Sequence, residues 1–125
     1  MREIKFRGRV APRGKQWFYG DLDTHTWGVC IRDKNTLHTV ISETVGQYTG
    51  LKDATGKEIY EGDIIKTREG DVGVIVWETE LGGFRARLTD DSFYTLTALF
   101  ASMFSVIGNV HDNPELLEAT EGGRP

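Results

Sequence analysis

Residues 62–88 read GDIIKTREGDVGVIVWETELGGFRARL, and this stretch decides the fold class. Its apolar residues recur at alternate positions or in short runs, which is typical of strands rather than helices. Two glycine-bearing turns, at residues 69–71 and 81–83, divide the stretch into three segments. Short turns of this kind join antiparallel neighbours, so the sequence predicts a three-stranded meander.

The sequence after this meander predicts one further strand and two short helical turns. Residues 97–101 fit a single helical turn, and residues 104–110 fit a last strand. Asn113 followed by Pro114 is a good helix start, because Asn is a preferred N-cap and Pro suits the first helical position. We therefore expect residues 111–125 to form a short helix with a frayed tail.

The chain before the meander predicts β-hairpins over residues 1–41. Charged residues at 3, 5, 7 and 9 alternate with Ile4, Phe6, Gly8 and Val10, so charge and apolar groups lie on opposite faces of the first strand. A turn at residues 11–14 leads into a returning strand, and a second pair of strands follows after Trp27.

The segment of residues 42–61 differs from both neighbours and predicts a long ordered loop. Glycines recur at positions 46, 50 and 56, with a turn expected at residues 53–56. A hairpin connection needs only two to five residues, so a segment this long suggests a binding role. We predict protein-interaction contacts there, with two interpretations of the tyrosine, a ring presented at the surface or a plug in the core; the candidates are Gln47, Tyr48 and Lys52.

Composition limits the classes of function. The 125 residues carry a net charge of −4, although residues 1–15 alone carry six cations against one acid. An acidic total opposes general affinity for nucleic acid, since such binding depends on basic density. No apolar run approaches the roughly 20 residues that span a bilayer. The single cysteine, Cys30, excludes an internal disulfide, so we expect a reducing cytoplasm and a small core residue at this position.

Catalytic and metal-binding patterns are missing from the sequence. The three histidines, His25, His38 and His111, have no second ligand at i+2 or i+4, and the cysteine adds none. We find no glycine-rich phosphate loop opening a helix and no nucleophile elbow. The sequence therefore predicts no enzyme activity, no metal and no cofactor.

Basic strand faces provide the alternative functional prediction. Cations near aromatic rings can bind single-stranded nucleic acid. If the basic faces of two strands were neighbours, five cations would form a stripe; the other interpretation pairs them with acids such as Glu58 and Glu61. These nucleic-acid candidates are Lys5, Arg7, Arg9, Arg85 and Arg87.

A family resemblance rests on four motifs. They read MREIKFR at residues 1–7, VGQYTGLKD at 45–53, GKEIYEGDI at 56–64 and VIGNV at 106–110. Together they resemble the YopX family of phage and prophage proteins, from residue 1 to about residue 117. The resemblance implies a phage or bacterial origin and an SH3-like barrel, which we place at residues 56–110. It brings no catalytic residues.

The combined prediction is a mainly β, single YopX-like domain over residues 1–125, with hairpins at 1–41, a loop at 42–61, barrel strands at 62–110 and a terminal helix. The predicted function is a non-enzymatic interaction module in the bacterial cytoplasm, which binds a protein partner or its own copies. Nucleic-acid binding and an uncharacterised enzyme activity are the alternatives.

Overall fold

The computed structural model describes residues 3–11, 13–24 and 28–117. The chain divides into two compact units, Met1–Gly50 (unit 1) and Leu51–Pro125 (unit 2). The division falls inside the segment that the sequence predicted as a loop. The single domain over residues 1–125 stays a prediction.

Unit 1 begins with an antiparallel meander of four short strands. The predicted N-terminal hairpins are therefore present, although the strand bounds differ by a few residues. The turn between β1 and β2 is closed by the bond from Gly14 N to Val10 O at 3.0 Å. The strands are β1 (Phe6–Arg9), β2 (Trp17–Asp23), β3 (Cys30–Asp33) and β4 (Thr36–Thr39).

The four-stranded ribbon curls so that its last strand meets the end of its first. Val10 and Val40 form an isolated bridge, and Ala11 N donates to Thr39 O at 3.0 Å. Gly8 makes this close approach possible, because a Cβ at this position would lie 2.8 Å from the Val40 side chain. The hairpins are thus held by long-range backbone bonds that strand propensity alone does not specify.

The segment predicted as a loop is mostly β-structure. A 3₁₀ turn at Ser42–Thr44 leads into β5 (Gly46–Lys52), which pairs with β1, and β6 (Glu58–Tyr60) follows. Strand β5 runs across the division, so its last two residues belong to unit 2. The predicted turn at residues 53–56 is present, with Gly56 N bonded to Asp53 O and Gly56 at a φ of 90°. The prediction of a loop was wrong for residues 46–52, because the glycines at positions 46 and 50 masked the strand pattern.

Unit 2 contains a five-stranded antiparallel sheet in the order β10-β9-β8-β7-β11. The predicted meander forms its centre, and the predicted last strand returns to pair with the first strand of the meander. The helical turn predicted at residues 97–101 is α1 (Ala98–Ala101), whose N-cap Thr97 accepts a bond from Phe100 N. The strands are β7 (Asp63–Lys66), β8 (Val72–Glu78), β9 (Gly83–Leu88), β10 (Phe93–Thr95) and β11 (Ser105–Asn109).

Closure of this sheet into the predicted SH3-like barrel over residues 56–110 is not confirmed. Strands β10 and β11 are its two edges, and no ladder joins them in the described part of the chain. What the structure shows is the coarser fold, mainly β with two antiparallel sheets and little helix.

The core of unit 2 lies on one face of the sheet. Ile65, Ile75 and Ala86 come from three adjacent strands and are fully buried. They pack with Ile59 and with residues of the helical-turn region, Ala101 and Phe104. The core therefore lies on the face of the sheet that carries Ile65, Ile75 and Ala86.

The predicted C-terminal helix lies at the end of the described residues. Residues 115–117 are helical, and the predicted frayed tail lies outside the described residues. In the described ranges no helix has the length and apolar character needed to cross a membrane.

Candidate interaction surface

The face of the unit 2 sheet opposite the core carries the candidate surface, which we call the outer face. Strand register places Val74 opposite Arg87 and Val76 opposite Arg85. It also places Phe93 opposite Arg87, on the other side of β9. Directly opposed residues of antiparallel strands share one face of the sheet. The outer face is therefore defined by Val74, Val76, Glu78, Arg85, Arg87, Phe93 and Thr95.

One carboxylate holds both arginines of the outer face. Arg87 donates from Nη2 to Glu78 Oε1 at 2.6 Å, and Arg85 Nε lies 3.8 Å from the same oxygen. The Arg87 side chain is 54% exposed, whereas that of Arg85 is only 16% exposed. Arg87 is thus the guanidinium that can reach a partner.

Phe93 orders the less exposed arginine. The Arg85 guanidinium carbon lies 3.7 Å from the centroid of the Phe93 ring. Such stacking suits a guanidinium, which is planar and weakly hydrated. Phe93 remains 49% exposed, so the stack keeps an accessible aromatic ring. Aromatic and arginine side chains are the residue types that dominate the energetics of protein interfaces.

A shallow groove of about 310 Å³ includes Arg87 in its lining. Its apolar lining comes from Val74, Val76, Leu88 and Leu117, and its polar lining from Arg87, Thr89 and Asp91. An apolar lining with a few charged groups at the rim is the composition of many recognition sites. A second cavity, near Tyr94 and Phe100, has only about 60 Å³ and has room for water rather than an organic ligand.

The two arginines of this surface were predicted from the sequence, whereas Glu78 and Phe93 were not. The pattern had predicted acids such as Glu58 and Glu61 as partners of the basic strands. In the structure, Glu78 fills this role for Arg85 and Arg87. Period-two alternation from Val74 to Glu78 would have placed that carboxylate on the same face.

The basic residues of the first strand lie in unit 1 and are already engaged there. Lys5 Nζ lies 3.3 Å from Glu3 and 5.3 Å from the Tyr48 ring centroid. Arg9 Nε donates to Gly14 O at 3.0 Å.

Arg7 is the most deeply placed of these cations. It is only 6% exposed, and its guanidinium carbon lies 4.8 Å from the Trp17 ring centroid. The predicted shared face of Lys5, Arg7 and Arg9 is consistent with the register of β1, but this burial weakens the nucleic-acid interpretation. The stripe of five cations stays a prediction, since Arg85 and Arg87 belong to unit 2.

The three predicted contacts of the central segment differ in exposure. Tyr48 is 6% exposed within β5, so the core-plug interpretation fits and the surface-ring interpretation does not. Gln47 is half-buried, and Lys52 is exposed. Among the three, Lys52 is the side chain that stands free to meet a partner.

Asp53 gives the central segment a structural role that the sequence analysis did not assign. Its Oδ1 accepts bonds from Thr55 N and Lys57 N, and its Oδ2 accepts from Val106 N at 2.8 Å. Burial alone would raise the pKa of Asp53, but bonds from Val106, Thr55 and Lys57 favour the carboxylate and hold the pKa below its ordinary 3.8. The spacing Asp-x-Thr at the predicted turn was the available signal.

The remaining candidates in the described part of the chain are a stacked histidine and a buried cysteine. His38 stacks on Phe18 with ring centroids 3.5 Å apart, and Cys30 is a buried residue as predicted. Within residues 3–11, 13–24 and 28–117, no group of three or more His, Cys, Asp or Glu side chains could hold a metal ion. His25 and Trp27 lie outside the described residues.

Comparison with known families identifies the class of protein. The family model described as YopX protein matches residues 9–118, which is most of the chain. The chain therefore belongs to the YopX family. The resemblance drawn from the sequence motifs is confirmed.

A solved structure supports the fold. A crystal structure of protein EF1440 from Enterococcus faecalis is similar with a TM-score of 0.61 and 24% sequence identity. The alignment covers 94% of this chain and 99% of that chain. At this identity the similarity is evidence for the fold alone. No curated protein matches the chain.

Proposed function

We propose that this chain is a phage-encoded, non-enzymatic module of the bacterial cytoplasm, which binds a partner protein through the outer face of unit 2. The observation that carries the proposal is the exposed Arg87 beside the Phe93–Arg85 stack and the apolar groove. This combination provides an aromatic anchor, a charged group for orientation and an apolar floor.

The chemistry of the groove defines the partner in outline. Arg87 has one bond to Glu78 and further guanidinium donors available, since an arginine carries five N–H groups. Asp91 stands at the rim as an acceptor. A protein segment with an aliphatic side chain beside an acidic group would fill the apolar floor and bond Arg87.

Nucleic-acid binding is the weaker candidate. Arg7 is buried and stacked on Trp17, and the two unit 2 arginines share one acid. A cation held in this way contributes less counterion release than a free one. The family membership is compatible with phage origin, which remains part of the proposal.

The test compares two arginine truncations in pull-downs from bacterial lysate. Arg87→Ala removes the exposed guanidinium of the outer face, while the matched control Arg68→Ala removes an exposed arginine from the β7–β8 turn. We expect Arg87→Ala to weaken capture of the main bound protein by about tenfold or more, the effect of an interface hot spot. The control should bind as the wild type does.

If Arg87→Ala captured the bound protein as well as the wild type does, the outer face would be refuted as the binding site. If both variants lost capture equally, the positive charge of the protein rather than the outer face would govern binding, and the proposal would be wrong. Saturable turnover in a broad hydrolase screen, abolished by a point substitution, would instead favour the enzyme alternative.

A further inference from the structure

The two edges of the unit 2 sheet are protected differently. On the β11 edge, Val106 N donates to Asp53 Oδ2 at 2.8 Å, and Phe104 O accepts from Ala54 N at 2.9 Å. Further along, Asn109 N donates to Asn113 Oδ1 at 3.2 Å. This edge is therefore covered by residues of the same unit.

The β10 edge has its backbone groups oriented outward. Leu88 N donates to Ser92 O at 2.8 Å, and Leu96 N donates to Phe84 O at 3.1 Å. Bonded and non-bonded pairs alternate along an antiparallel ladder. Tyr94 therefore bonds inward to β9, and the N–H and C=O groups of Phe93 and Thr95 point away from it.

These outward groups have no hydrogen-bond partner within the described ranges. Phe93, Tyr94 and Thr95 include no charged residue and no proline, so among the usual protections against strand pairing this edge has only its short length. Phe93 is 49% exposed on the same edge. An edge with free donors, free acceptors and an exposed aromatic ring is a template for another strand.

We infer that β10 pairs with β10 of a second copy of this chain, antiparallel about a two-fold axis at Tyr94. The register follows from the spacing of the outward groups. Phe93 and Thr95 lie on either side of Tyr94. The axis therefore brings Phe93 of one copy opposite Thr95 of the other, and Thr95 opposite Phe93. Four backbone hydrogen bonds then satisfy the four outward donors, and two five-stranded sheets become one of ten strands.

The side chains of the edge suit a second copy. On the outer face each Phe93 lies opposite a Thr95, so the exposed ring packs on a β-branched neighbour. The paired segment itself is uncharged, and Glu78 holds the nearby Arg85 and Arg87, so two identical edges meet without like charges in direct contact. Because the strand has only three residues, the dimer is weak and depends on concentration.

This inference goes beyond the proposed function, because it assigns the backbone of the β10 edge, which borders the outer face and shares Phe93 and Thr95 with it, to a second copy rather than to a partner protein. Its test uses two substitutions at one position. Thr95→Pro removes an outward N–H, and an edge strand tolerates a proline at such a position. Thr95→Ala removes the side chain and keeps the N–H. Sedimentation equilibrium up to about 1 mM, the range of weak association, measures the dimer.

We expect the wild type and Thr95→Ala to dimerise with increasing concentration and Thr95→Pro to remain monomeric. A monomeric wild type, or a dimer unchanged by Thr95→Pro, would refute the inference. If the proline variant does not fold, hydrogen exchange of the wild-type amides tests the β10 pairing instead. The Phe93 and Thr95 amides should gain protection in concentrated solution, and unchanged exchange would count against β10 pairing.

Discussion

Arg7 in unit 1 and Asp53 in unit 2 are both 6% exposed, and each makes a contact of a different kind. The Asp53 carboxylate accepts directional bonds from backbone N–H groups of Thr55, Lys57 and Val106. The Arg7 guanidinium lies over the face of Trp17. The anion joins a turn to a distant strand, whereas the cation covers an aromatic ring with its planar group.

The comparison separates two roles of a buried charge. The Asp53 carboxylate organises the backbone around it, whereas the Arg7 guanidinium packs on an aromatic ring. Directional bonds to N–H groups are lost outright when the acceptor is removed, and each donor that water cannot reach is then left without a partner. A stacked guanidinium loses contact area and a cation–π interaction, which neighbouring side chains can replace in part. We therefore expect a larger energetic effect at Asp53 than at Arg7.

The largest expected effect is that of Asp53→Ala. The substitution leaves Val106 N and the turn amides without their acceptor, and we expect it to lower the free energy of unfolding by about 3 kcal/mol. Urea denaturation near neutral pH measures the change. Asp53→Asn is the matched control, since it keeps one carbonyl oxygen and should lose less. Equal losses for the two variants would show that charge, rather than hydrogen-bond acceptance, holds the turn.

Arg7→Ala should have the next largest effect. Loss of the stacked guanidinium and its aliphatic stem should lower the free energy of unfolding by about 2 kcal/mol. Arg87→Ala, at an exposed ion pair, provides the control and should change stability by about 0.5 kcal/mol or less. Thermal denaturation of both variants tests the difference. If Arg87→Ala were as costly as Arg7→Ala, burial would not distinguish the two arginines.

The smallest expected effect is a loss of stability in acid that follows from the lowered pKa of Asp53. Its folded-state pKa lies below the ordinary 3.8, so its contribution to stability is present above pH 3.8 and is lost as the pH falls through the folded-state value. The stability difference between the wild type and Asp53→Asn should therefore shrink in acid. A difference at Asp53 that stayed constant with pH would contradict the lowered pKa.

The strands of unit 2 could be predicted because their local signals agree. Alternating apolar residues and glycine turns marked β7, β8 and β9, and the helical turn after residue 96 was placed correctly. Strand β5 could not be predicted in the same way. Gly46 and Gly50 suggested loop geometry, and the pairing of Gly46 with Arg7, which makes it a strand, joins residues far apart in sequence.

The candidate surface could be predicted in part. Arg85 and Arg87 were recognised from their alternation with apolar residues, whereas Glu78 and Phe93 were not. The arginines share a carboxylate from one neighbouring strand and a ring from the other, and only the strand register brings these groups together. Tyr48 gave two interpretations in the sequence, and its burial decided between them.

The sequence by itself determined the family, the mainly β character and the turns, because motifs, period-two alternation and glycine positions are local properties. The tertiary structure decided how the strands pair, which charges are buried and which sheet edge is left open. Arg7 and Arg87 occupy equivalent places in an alternating pattern, yet one is 6% exposed and the other has a side chain that is 54% exposed. Burial depends on what packs across a strand face, and this information lies in contacts between segments distant in the chain.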